Sequence, residues 1–94
     1  MSNEGQNIEV RLPESLQAGI YANNMMVSHT REEFIMDFMI IAPNVSSVTS
    51  RVIVSPGHMK RMIAALQENL SRYETAFGQV EQAPEPKTKF GFQP

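Results

Sequence analysis

The chain has 94 residues, a formal charge of −2 and no Cys or Trp. That length holds one domain at most. The absence of Cys excludes disulfides, thiolate metal sites and Cys nucleophiles, and the slightly acidic balance leaves no polybasic footprint for nucleic acid.

Met1 to Gln6 is polar and contains Gly5. The stretch Met1-Ser2-Asn3-Glu4-Gly5 lacks the basic and apolar regions of a secretory signal, so a cytoplasmic location is expected. Residues 79–94 contain Pro84, Pro86, Pro94 and Gly91. Neither end can bury enough apolar surface to offset its ordering entropy. The expectation is a disordered segment over 1–7, one folded domain over 8–78 and a disordered tail over 79–94. Within that tail Lys87-Thr88-Lys89-Phe90-Gly91-Phe92 is a basic-aromatic stretch that suits a short peptide ligand or a solubilising end.

Asn7-Ile8-Glu9-Val10-Arg11-Leu12 alternates apolar and polar residues with the strand period, and Pro13 ends it. Gly19 to Ser28 is a second strand candidate, although the pair Asn23-Asn24 is unusual inside a strand. His29-Thr30-Arg31-Glu32 suits a hairpin connection. Glu33 to Ala42 then places Phe34, Met36, Phe38 and Ile40 on one strand face and Ile35, Asp37, Met39 and Ile41 on the other. Both faces are apolar apart from Asp37, so something must pack on each side. One side is expected to receive the chain's own helix and the other a second subunit. Pro43 to Ser47 reads as a turn, and the β-branched run Val48 to Val54 as a further strand. In a suitable hairpin register Arg51 would pair with Asp37.

Ser55-Pro56 opens a helix, because Ser is a favoured cap and Pro a favoured first residue. Met59, Met62, Ile63, Leu66, Leu70, Tyr73 and Phe77 recur at helical spacing along one stripe, and Gly78 stands where a C-terminal cap belongs. The expected fold is therefore α+β: a small antiparallel sheet of three to four strands followed by one long amphipathic C-terminal helix. No apolar run reaches the length of a membrane span.

Three stretches together carry a family resemblance. They are Tyr21-Ala22-Asn23, Glu33-Phe34-Ile35-Met36-Asp37-Phe38, and Arg51-Val52-Ile53-Val54-Ser55-Pro56 running into Met59-Lys60-Arg61-Met62. The ending Tyr73-Glu74-Thr75-Ala76-Phe77-Gly78 completes the set. Over about Ile20 to Gly78 the chain resembles the uncharacterised bacterial family called domain of unknown function 3467. The resemblance implies a compact strand-strand-strand-helix domain and carries over no activity and no functional residue. In architecture alone, a meander followed by a long helix is similar to the export chaperone SecB, whose sequence signature is absent here.

The N-terminal half supports a competing parse. Ile8 to Leu16 resembles the opening of a ribbon-helix-helix DNA-binding protein, and Thr30-Arg31-Glu32-Glu33 fits a capping box for a helix over Arg31 to Ile41. That parse leaves the strand Val48 to Val54 and the long helix without a structural role, and it turns Glu9 toward phosphates that repel it.

Reactive chemistry is sparse. His29 and His58 have no carboxylate at ligand spacing. Asp37 suits a buried ion pair or a register-fixing contact better than a general base, because no nucleophile or oxyanion donor accompanies it. The glycines are scattered, so no phosphate loop forms, and Ser55-Pro56-Gly57-His58 reads as an ordinary helix start. The seven methionines suit core packing or an adaptable surface. No catalytic residue, cofactor or metal is expected. The expectation is an oligomeric, non-catalytic protein-binding or scaffold module, with chaperone-like affinity for apolar segments as one form of it, whose interface candidates are Ile35, Asp37, Met39, Ile41, Met25 and Arg51. Its expected partners are further copies of itself and another protein, with no membrane involved; the alternative function is a ribbon-helix-helix DNA-binding transcriptional regulator, and only on that reading is nucleic acid a partner.

Overall fold

The computed structural model describes residues 7–85. The expected disorder of residues 1–6 and 86–94, and the Lys87 to Phe92 segment, lie outside the described residues. The chain divides into two compact units, Met1–Pro56 and Gly57–Pro94.

The first unit holds a three-stranded antiparallel sheet of β1 (Asn24–His29), β2 (Phe34–Ile41) and β3 (Ser46–Val54), with β2 in the centre. The expected strand at Asn7 to Leu12 does not form: the segment has no regular structure, and Pro13 leads into a single 3-10 turn over Glu14–Leu16. Its alternation is correct for a strand, but among the described residues no neighbouring strand supplies a ladder, and Ile8, Val10 and Leu12 stand exposed. An unpaired strand leaves its backbone groups to water, so period alone does not make one. The second candidate is shorter than expected, because Gly19, at φ 74°, and Tyr21 to Asn23 lie outside β1.

Two short turns set the register. Thr30 N–H donates to Glu33 O at 2.9 Å, and Thr30 Oγ1 accepts from the N–H groups of Glu32 and Glu33 at 3.1 and 3.2 Å. The hydroxyl thus makes the bonds of a helix cap, yet it closes the β1–β2 hairpin. The helix that the ribbon-helix-helix parse requires over Arg31 to Ile41 is β2 instead, because a run apolar at every position but Asp37 satisfies a central strand as well as a helix. On the far side, Ala42 N–H donates to Val45 O at 3.1 Å and Ser46 Oγ to Ala42 O at 3.2 Å.

The β1–β2 ladder is extended by a side chain. Asn23 Nδ2 donates to Ile41 O at 3.0 Å, and Ile41 N–H donates to Asn23 Oδ1 at 2.8 Å. The amide therefore pairs with β2 as a peptide group would. In β3 the register shifts between Phe38, opposite Ser50, and Met39, opposite Val48, which leaves Thr49 as an extra residue. Thr49 Oγ1 donates to Phe38 O at 3.1 Å, so the bulge is braced from its own side chain.

The second unit holds α1 (Pro56–Phe77), about 33 Å long at 1.5 Å per residue. Gly78, at φ 100°, ends it with its N–H donating to Glu74 O at 2.9 Å. A positive φ is strained for any residue with a Cβ, which is why glycine closes the helix. Residues 79–85 carry no regular element. Tyr73 and Phe77, one turn apart, stack at a tilt with centroids 5.0 Å apart. No residue of α1 is buried.

Candidate functional site

Residues paired across antiparallel strands share a face of the sheet, so the register assigns every side chain. On the first face Met26, Asp37 and Arg51 form one row, Ser28, Ile35 and Ile53 the next, and Asn24, Met39 and Val48 a third; Ile41 stands opposite Ser46. On the second face Val27, Met36 and Val52 form one row, and Met25, Phe38 and Ser50 another. Of the six sequence candidates, Ile35, Asp37, Met39, Ile41 and Arg51 are brought together on the first face. Met25 is not: it stands opposite Phe38 on the second.

The centre of the first face is an ion pair. Arg51 Nε donates to Asp37 Oδ1 at 2.6 Å and Nη2 donates to Oδ2 at 2.9 Å. Two parallel bonds match the guanidinium fork to the carboxylate. The Asp37 side chain is 5% exposed and that of Arg51 56%, so the carboxylate is enclosed while its partner meets solvent. The hydrogen bonds from Arg51 and its positive charge hold the Asp37 carboxyl below the usual carboxylate range, against the opposing effect of desolvation. With both oxygens engaged, Asp37 is a poor proton acceptor near neutrality and a good lock on the β2–β3 register.

A pH dependence follows. A carboxylate whose folded pKa is lowered stabilises the fold at neutral pH, and that contribution fades as pH falls below the ordinary range near about 4. In urea unfolding, Asp37→Asn is expected to lower the midpoint at pH 7 and to flatten the loss of stability below about pH 4, where an ordinary Asp protonates. Parallel pH profiles for the two proteins would contradict this role for Asp37.

Around the pair, little apolar surface is enclosed. Among the described residues the buried apolar side chains are Met36, 4% exposed, and Met39, 3% exposed, which point to opposite faces of β2. Their flanking neighbours stay open: Val27 and Val52 beside Met36, and Val48 beside Met39, are all exposed, as are Met25 and Ile53. Packing explains Met36 and Met39, whereas Met25 lies on open surface, and Met26, Met59 and Met62 are half-buried.

His29 ends β1 and its ring lies 5.5 Å from that of Phe34, while His58 is in the first turn of α1. Among the described residues no cluster of three His, Cys, Asp or Glu is placed to hold a metal, and no helix is long and apolar enough to cross a membrane. Sequence reasoning missed Met26, the third member of the Asp37 row, because register decides which of two adjacent methionines shares that face. Asn23 gave a signal in being out of place in a strand, and its amide pairs with the backbone of Ile41 at the end of the central strand β2.

A family model described as "Protein of unknown function (DUF3467)" matches residues 1–82. No curated protein and no solved structure matches the chain.

Proposed function

We propose, for a chain that belongs to the DUF3467 family of proteins of unknown function, the role of an oligomeric, non-catalytic protein-binding or scaffold module of the cytoplasm. The observation that carries this reading is the central strand β2, apolar on both sides, in a sheet whose flanking apolar residues are exposed on both faces. Exposed apolar area that is contiguous across strands is favourable to cover, at about 25 cal/mol per Å² removed from water. The locked Asp37–Arg51 pair contributes a fixed charge pattern to one face, which suits specificity of docking. A chaperone-like affinity for apolar segments belongs to the same reading.

The binding half is tested by mixing the protein with a chemically unfolded model protein that aggregates on dilution. Suppression of light scattering at near-stoichiometric ratio is expected, and Ile53→Glu on the first face is expected to weaken it. Unchanged aggregation at tenfold excess would remove the chaperone-like component.

A further inference from the structure

We propose that α1 pairs antiparallel with α1 of a second copy of this chain, in one register set by Lys60 and Glu74. The inference deepens the reading of the protein as a self-assembling module and rests on it. Met59, Ile63, Leu66, Leu70, Tyr73 and Phe77 follow one another at spacings of four, three, four, three and four. That is an unbroken coiled-coil seam running the length of the helix. Ile63, Leu66, Leu70, Tyr73 and Phe77 are all exposed, so the seam is open to a partner.

The residues flanking the seam select the partner and its direction. One flank carries Lys60, Gln67 and Glu74 at intervals of seven, and the other carries Met62, Asn69 and Ala76. In an antiparallel pair each flank meets its own copy reversed. Layers of Ile63 on the second copy's Tyr73, Leu66 on the second copy's Leu70, and Phe77 on the second copy's Met59 then bring Lys60 against the second copy's Glu74. Gln67 meets the second copy's Gln67, and the uncharged flank meets itself. The charges are complementary twice over by symmetry. In a parallel pair the charged flank would lie beside the uncharged one, with no charge left to match. The remaining charges sit outside: Arg72 and Glu68 pair with each other at 2.6 Å on the solvated back of the helix.

Charge reversal tests this directly in the full chain, with sedimentation equilibrium reading assembly and far-ultraviolet dichroism reading folding. Lys60→Glu sets two like-charge contacts across the pair in place of two attractive ones. With two attractions lost and two repulsions gained, dimerisation is expected to weaken about tenfold. Lys60→Glu mixed with Glu74→Lys is expected to form the mixed dimer in preference to either homodimer, and the double variant is expected to regain wild-type assembly. Glu74 Oε2 also accepts from Val80 N–H at 3.0 Å within its own chain; neither rescue restores that bond, so both report the contact between copies. An assembled wild type whose affinity ignores all of these changes would overturn the helix register while leaving the self-assembling module standing. A wild type that is monomeric throughout would overturn both.

Discussion

Leu66→Glu is expected to separate the assembly into single chains with the helix intact. Leu66 and Leu70 form the middle layers of the proposed seam, and Leu66 is 66% exposed in the single chain. On an ordinary solvated helix face the change is nearly neutral, because Leu and Glu have similar helix propensity and surface substitutions usually shift stability by less than about 0.5 kcal/mol. In the antiparallel pair the same change removes two buried leucines. At about 1.5–3 kcal/mol each, the loss raises the dissociation constant by about a hundredfold or more. Sedimentation at micromolar concentration with unchanged dichroism is the readout. Assembly as tight as that of the wild type would place the contact elsewhere.

Met36→Ala and Met39→Ala are expected to have the largest effects on folding. These two side chains anchor opposite faces of β2, and each is enclosed where most apolar neighbours are not. Truncating a buried Met costs about 2–5 kcal/mol, from lost transfer energy and the cavity left behind. That is a large share of the about 5–15 kcal/mol by which a native domain is stable. Ile8→Ala and Val10→Ala, in the exposed segment before the sheet, are expected to leave the urea midpoint almost unchanged. A cost below about 1 kcal/mol at both methionines, against that 2–5 kcal/mol, would mean that the sheet is held by something other than its central strand.

Much of the fold is legible in the sequence because its signals agree with one another. Pro56 and Gly78 bracket the helix, its stripe has helical period throughout, and the β-branched run before it has no competing reading. Asp37 opposite Arg51 follows from one register: the second turn sets Ile41 against Ser46, and the one-residue bulge at Thr49 shifts the ladder so that Asp37 meets Arg51. The segment Asn7 to Leu12 misled because alternation reports which faces a strand would have, whereas a strand also needs a neighbour. Thr30 was ambiguous for a different reason: the same hydroxyl geometry caps a helix and closes a turn. Faces were harder to read than elements. Met25 and Met26 are adjacent and chemically identical, and only the pairing of Met26 with Asp37 assigns them. The bulge at Thr49 leaves no compositional mark, because Thr suits a regular strand equally well.

The Asp37–Arg51 pair and the open apolar rows around it point to the same physical picture. A narrow sheet fixes its own register internally and leaves greasy surface on both sides, while the helix carries a second apolar surface along its length. Under the proposed reading, association through either surface is favoured by area and selected by charge.

Multi-angle light scattering of the wild-type chain across the micromolar range bears on that picture more directly than any variant. A molar mass of two chains or a higher whole multiple, falling toward one chain only on dilution, is the result expected. A mass of one chain at every concentration would mean that these apolar surfaces do not bring copies together.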